Sequence, residues 1–267
     1  MKTTNNFNEK NYREYKENGY TIIPSMFSKK EVSLIMEMAL SDKALRENVR
    51  GRTDKDGNIT KLSLWYSLGE DVYSNVARSE RYITPITRLL GGTPAHYHTK
   101  LMQKEPHVGG AWEWHQDYGY WYHDGFLLPK MLSVMLALTE ANPENGCLQV
   151  LKGSHHLERI DHSFVGGQKG ADAERVEEAT RQMELVHVQL EPGDVLFFHA
   201  NLLHRSDKNK SDRPRWSLIS TYNLASNKPF KPQNPSCYTP IETHFSGEIT
   251  AENTAGIAAE TAAFKKD

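Results

Sequence analysis

His115 and Asp117 stand one residue apart in WEWHQDYGYW, His204 follows far downstream in FFHANLLHRS, and Arg215 lies eleven residues beyond it. Two imidazoles and one carboxylate can grip one face of an iron(II) ion and leave the opposite face open to substrate, dioxygen or an oxo acid. Arg215 adds a rigid guanidinium fork that can hold a carboxylate bidentately. A lone HxD recurs by chance, whereas HxD with a distant histidine and an arginine one hairpin further on is a specific pattern.

Elements must bring these residues together. Side chains at i and i+2 of a strand share a face, so a strand over 113–118 lets His115 and Asp117 converge while Gln116 points away. The third ligand must then come from a distant strand of the same sheet system. From His96 onward, short apolar runs alternate with Gly, Pro and Asn, as a β-sandwich or barrel requires. The pattern predicts strands near 95–104, 113–118, 131–138, 147–151, 185–190, 194–199, 203–207 and 215–223. Before them, residues 7–18 read as a charged helix and YTIIP as a strand. Ser28 with Glu31 forms a capping-box signature for a helix ending near Leu40. The polar stretch 43–60 reads as a loop, and Arg81 to Leu90 as a helix stopped by Gly91-Gly92. Residues 157–184 form a polar insertion with a helix over ADAERVEEATRQM. The expected organisation is one domain over 1–267: a helical part to about 94, a β core over 95–224, and an extension over 225–267 that is either helical or frayed.

Composition narrows the function classes. A chain of 267 residues can bury a sizeable core as one domain, and a mean hydropathy of −0.65 points to long polar loops around it. The net charge is −2, which gives no footing for nucleic acid or an anionic membrane surface. Cys147 and Cys237 form no CxxC or disulfide framework, the first residues MKTTNNFNEK lack an apolar leader core, and no apolar run is long enough to span a membrane. These features predict a soluble cytoplasmic protein acting on a small molecule; oligomeric state leaves no mark in the sequence.

Taken together, GYTIIPSMFSKKEV, WHQD, LSVMLALTEANPENGCLQVLKGSHH and LEPGDVLFFHANLLHRS resemble the phytanoyl-CoA dioxygenase family of iron(II)/2-oxoglutarate oxygenases. The resemblance runs through RPRWSLISTYN and ends in the tail. It implies a mainly β fold with flanking helices, a double-stranded β-helix (jelly roll, cupin-like) with a metal in its mouth. Within the family, WHQDYGYWYHDG looks closest to the ectoine-hydroxylase branch, which has a Trp at the position of Trp121. Carried over by position, the resemblance makes His115, Asp117 and His204 the Fe(II) ligands and Arg215 the partner of the distal 2-oxoglutarate carboxylate. It adds Ser206, Ser133, Lys61 and Gln103 (or Lys100) as cosubstrate contacts, with Lys61 reading equally as a surface lysine; the aromatic residue types themselves make Trp121 and Tyr118 the candidate substrate contacts. Dioxygen would then be consumed with decarboxylation of 2-oxoglutarate to succinate and CO2. The carboxylate of Asp117 favours hydroxylation over halogenation, since the halogenating relatives lack it.

Competing readings have specific residues behind them. His199 also ends a strand of LFF type and rivals His204, but the offset to Arg215 favours His204. His155 and His156 look like ligands in KGSHH, yet fit a structural loop. His96-x-His98 could open a cupin motif, for which Glu105 lies too far away. The ring-rich run from Tyr118 to Tyr122 is either a cover over the barrel mouth or a cation-binding wall. A non-catalytic metal sensor or carrier on the same barrel, and a cupin-type enzyme that uses no oxo acid, are the alternative functions.

Overall fold

The computed structural model describes residues 6–165, 168–242 and 244–265. All but one of the α-helices described begin where a side chain accepts from one of the first free N–H groups. Helix α1 (Glu9–Asn18) is capped by Asn8 and ends at Gly19, whose φ of 82° is the left-handed conformation that glycine adopts freely. Strand β1 (Tyr20–Ile23) leads into helix α2 (Lys29–Ser41), where Ser28 and Glu31 form the expected capping box. Residues 43–60 are not a loop: they hold helix α3 (Lys43–Glu47), strand β2 (Arg50–Thr53) and the start of β3 (Ile59–Trp65). The cause is the turn between the strands. Asp54 accepts hydrogen bonds from the backbone N–H groups of Asp56 and Asn58, and Gly57 takes φ 86°, so DKDGN closes a hairpin. Helices α4 (Val72–Ala77) and α5 (Glu80–Leu90) follow, α5 stopping at Gly91 as expected.

The β core then runs β4 (Pro94–Lys104), β5 (Trp112–His115), helix α6 (Asp117–Trp121), β6 (Met131–Ala137) and β7 (Leu148–Leu151). The insertion supplies a hairpin, β8 (His162–Val165) with β9 (Gln168–Ala171), and helix α7 (Ala173–Gln182). Strands β10 (Leu185–Val188), β11 (Val195–His199), β12 (His204–Ser206) and β13 (Arg215–Leu224) complete it. A seven-stranded antiparallel sheet, in the order β1-β11-β6-β13-β4-β3-β2, packs on a four-stranded sheet, β10-β7-β12-β5. The result is a jelly roll with flanking helices.

Two apolar layers hold the large sheet. Leu62, Met102, Met135, Leu196 and Phe198 on one face meet Leu148 and Val150 of the small sheet. Ile35, Tyr73, Ile83, Leu101, Leu136 and Phe197 form the layer against the helices. The tail, expected as a helix or a frayed end, is neither. It contains short 3-10 turns at Pro235–Tyr238 and Ala251–Asn253, and it buries Ile249, Ile257 and Ala262 in the helix-side core. Burial of such side chains, at about 25 cal/mol per Å² of apolar area, outweighs the ordering of an irregular chain here. Among the described residues, no helix is long and apolar enough to cross a membrane.

Candidate metal and cosubstrate site

His115 closes β5 and His204 opens β12, and the antiparallel register sets the two directly opposite each other. Their ring centroids are 4.0 Å apart. Asp117 is not on the strand, as the sequence suggested, but in the first turn of α6. Gln116 between them is still extended (φ −110°, ψ 134°), so the i, i+2 alternation survives for this one step. The Nδ1 of His115 lies 2.8 Å from the Glu113 carbonyl and that of His204 lies 2.9 Å from the Leu202 carbonyl. A carbonyl only accepts, so each Nδ1 carries the proton and each Nε2 presents a lone pair. Those Nε2 atoms lie 3.8 and 3.9 Å from Asp117 Oδ1. Asp117 Oδ2 accepts a 2.9 Å bond from Ser133 Oγ, itself 3.1 Å from Thr221 Oγ1, which leaves Oδ1 for an ion.

All three groups are buried, and their ligand atoms fall within 4.8 Å of one another; among the described residues no other set of His, Cys, Asp or Glu does so. Burial pushes the pKa of both imidazoles down, for His115 well below its ordinary value. Burial alone would raise that of Asp117, but the Lys100 and His204 charges and the Ser133 hydrogen bond hold it low. The donor set is therefore two neutral nitrogens and one carboxylate, the chemistry an iron(II) facial site needs.

A cationic pocket lies on the large sheet. Arg215 opens β13 opposite Lys104 at the end of β4. Lys104 Nζ donates to Ser206 Oγ at 2.9 Å and to the Asp207 carbonyl. Arg215 is buried with no partner for its Nε, and burial brings its pKa down to about 10. Lys104 is held well below its ordinary value by burial and then by the Arg215 charge. Among the described residues no carboxylate pairs with either cation. Two buried positive groups without an anion are costly, and a bound carboxylate is what would offset them.

The other expected residues divide. Ser133 and Ser206 are in place, Ser133 on a ligand rather than in the cationic pocket. Trp121 packs edge-on against Tyr97 and His98, with centroids at 5.8 and 6.2 Å. Tyr118 packs in the same cluster as Trp121 and Tyr97 and donates its hydroxyl to the Phe126 carbonyl. Lys61 is exposed, and Gln103, its cross-strand partner, shares the face of Leu101, on the helix side. Strand alternation is the reason for this correction: Leu62 and Met102 point between the sheets, so their neighbours cannot. The same parity brings His98, Lys100 and Lys104 inward. Sequence reading missed Lys104 and His98 as site residues; alternation counted from Lys100 would have found both. Tyr120, read only as part of the ring-rich run over the barrel mouth, has its ring 5.5 Å from that of His115 and donates its hydroxyl to the Lys169 carbonyl.

The phytanoyl-CoA dioxygenase (PhyH) family model matches residues 15–217. The L-proline trans-4-hydroxylase of Streptomyces griseoviridis is 28% identical over 62% of this chain and 68% of its own. The ectoine dioxygenase of Sphingopyxis alaskensis is 28% identical over 83% of this chain and 78% of its own. The crystal structure of EctD from S. alaskensis superposes with a TM-score of 0.75 at 24% identity, covering 91% of this chain and 89% of that one. The epimerase SnoN, solved with Fe3+, alpha-ketoglutarate and nogalamycin RO, shares the fold with a TM-score of 0.70 at 22% identity, over 84% and 86% of the two chains. The family match covers most of the chain, and the protein belongs to the phytanoyl-CoA dioxygenase family as a non-haem iron(II)/2-oxoglutarate-dependent dioxygenase.

Proposed function

We propose that His115, Asp117 and His204 hold iron(II), that Arg215 with Lys104 and Ser206 binds the distal carboxylate of 2-oxoglutarate, and that the enzyme hydroxylates a small molecule carrying an acid group. The observation that carries this reading is the pairing of a preorganised donor triad with two buried cations with which, among the described residues, no carboxylate pairs. Iron(II) with 2-oxoglutarate and dioxygen supplies an oxidative decarboxylation, to succinate and CO2, that drives hydroxylation of a second substrate. The chain's own residues bind, orient and exclude water. Ser133 fixes the Asp117 carboxylate, and the two backbone carbonyls fix the imidazole tautomers. The acid group of the substrate is inferred from β4. The Lys100 side chain lies on the inward face close enough for its charge to act on Asp117, and among the described residues it forms no ion pair or hydrogen bond. Buried His98, two residues away on the same face, has an Nδ1 without a partner. Trp121 lies against that imidazole. The named substrates of the relatives, proline, ectoine and hypophosphite, fit such a pair. We further read the whole chain as one dioxygenase domain, because the tail contributes to its core, and place it in a reducing, cytoplasmic setting that suits two free buried thiols.

The test is anaerobic addition of iron(II) and 2-oxoglutarate, which should produce the visible charge-transfer band of a chelated keto acid and lose it in His204→Ala. Succinate release is then screened with small carboxylates and their matched amides. Oxygen uptake that is independent of 2-oxoglutarate would sink the reading in favour of a cupin-type reaction.

A further inference from the structure

Gln116 lies between two of the presumed ligands, so the iron reading above is the ground on which its role is argued. Its side chain is wholly buried and uses all of its polarity on backbone. Nε2 donates to the Glu158 carbonyl at 2.6 Å and to the Asn201 carbonyl at 2.8 Å, and Oε1 accepts from the Ile160 N–H at 2.7 Å. Its own N–H donates to His162 Nε2 at 2.9 Å. Three segments therefore meet at one carboxamide: the junction of β5 and α6 with a ligand on each side, the 158–160 turn, and the β11–β12 loop that delivers His204. Asn201 adjoins Leu202, whose carbonyl sets the His204 tautomer. Glu158, bonded through its carbonyl, sits at φ 56°, ψ −156°, a conformation that a non-glycine residue adopts only where its surroundings impose it.

We propose that Gln116 is a positioning residue that holds the His115/Asp117 segment against the His204 segment, so that the triad is assembled before the metal arrives. Two donors and one acceptor are needed at one side-chain end. An ionised glutamate has no donor there, and methionine, of similar length, has no donor and only a weakly accepting sulfur. Either replacement leaves buried backbone groups unpaired, and glutamate adds a charge against two carbonyls.

The experiment uses the full chain and reads iron(II) affinity, from the charge-transfer band titrated anaerobically with 2-oxoglutarate, alongside Tm and the KM for 2-oxoglutarate at saturating iron. Gln116→Met and Gln116→Glu should weaken iron(II) binding by about tenfold or more, as loss of groups behind metal ligands does. The KM for 2-oxoglutarate, set by Arg215 and Lys104 on the large sheet, should stay within about twofold, since it depends on separate contacts. Glu158→Gly should leave iron affinity near wild type on its own and recover part of the loss in Gln116→Met, because glycine holds that backbone conformation without the amide. If Gln116→Met does not fold, Gln116→Asn, which keeps both donors on a shorter arm, is read in the same way. Wild-type iron affinity in a folded Gln116 variant would overturn the proposal. So would a loss of iron affinity matched by an equal rise in KM, with no recovery from Glu158→Gly, since that is the signature of general loosening. If the wild-type protein itself shows no band while His204→Ala behaves identically, the metal reading fails and takes this one with it; a wild-type band with an unaffected Gln116→Met rejects the positioning role alone.

Discussion

Lys104 and Arg215 face each other across β4 and β13 as two buried cations, and Ser206 is the neutral group between the lysine and the barrel wall. Charge-assisted bonds of this kind contribute roughly 1.5–3 kcal/mol each. Arg215→Ala should therefore raise the KM for 2-oxoglutarate by about ten- to a hundredfold, while iron(II) affinity in a direct titration changes little. Lys104 adds a pH dependence. Its pKa lies well below the ordinary lysine value, from burial first and the Arg215 charge second. A dianionic cosubstrate favours the protonated ammonium, so its affinity is greatest at lower pH and is lost as pH rises through the depressed pKa. The KM should climb with rising pH at values well below the ordinary lysine pKa in the wild type, and Lys104→Met should flatten that climb. Parallel slopes in the two proteins would remove Lys104 from the cosubstrate site.

Between elements, the tightest contact beside the triad is that of α6 with the β8–β9 hairpin. A Cβ on Gly119 would lie 2.1 to 2.3 Å from three ring atoms of His162, the imidazole that accepts the Gln116 N–H. Gly119→Ala must displace that ring and should cost about 1–3 kcal/mol, the usual range for overpacking. His162→Ala also costs stability, but in the double variant the clash is gone, so the two effects should sum to less than their separate values in a denaturation cycle. Additive effects would mean that the hairpin does not rest on Gly119. This contact also shows why some of the site was legible in the sequence and some was not. Ligand identity depends on residue type and spacing, and HxD, His204 and Arg215 carry that locally. The strands of the β core were legible from apolar periodicity. Which face Gln103 or Lys104 occupies depends on strand parity, and one residue of error exchanges a cosubstrate contact for a helix-side one. The hairpin around DKDGN was hidden because its first strand, β2, is polar, exposed and only four residues long, and because the turn is closed by Asp54 hydrogen bonds that no apolar pattern signals. Asp117 moved from strand to helix because α6 starts as soon as β5 has delivered His115.

Across the whole molecule, the tail is tied to the N-terminal helices through buried acids. Glu31, 2% exposed, is bound by Arg81 at 2.6 Å, caps α2 through the Ser28 N–H, and accepts the Ile249 N–H of the tail at 3.0 Å. Asp42 Oδ2 likewise accepts the Ile257 N–H at 2.9 Å. Burial raises the Glu31 pKa, but the Arg81 hydrogen bond and the two N–H groups outweigh it and leave the carboxyl below its ordinary value of 4.5. A folded-state pKa below the unfolded one means that this group stabilises the fold above the unfolded value, and that the contribution is lost as pH falls through the folded value. Arg81→Met should leave an uncompensated buried carboxylate and cost about 3–5 kcal/mol at neutral pH, visible as a drop in Tm and as earlier proteolysis of the tail. Acid protonates Glu31 and removes the charge that Arg81 balances, so the gap in stability between wild type and Arg81→Met should narrow steadily as pH approaches and passes below the ordinary carboxylate range. A gap that stays constant across that range would show that Arg81 acts through its packing on the Phe27 ring, 3.9 Å from the guanidinium carbon, and not through Glu31.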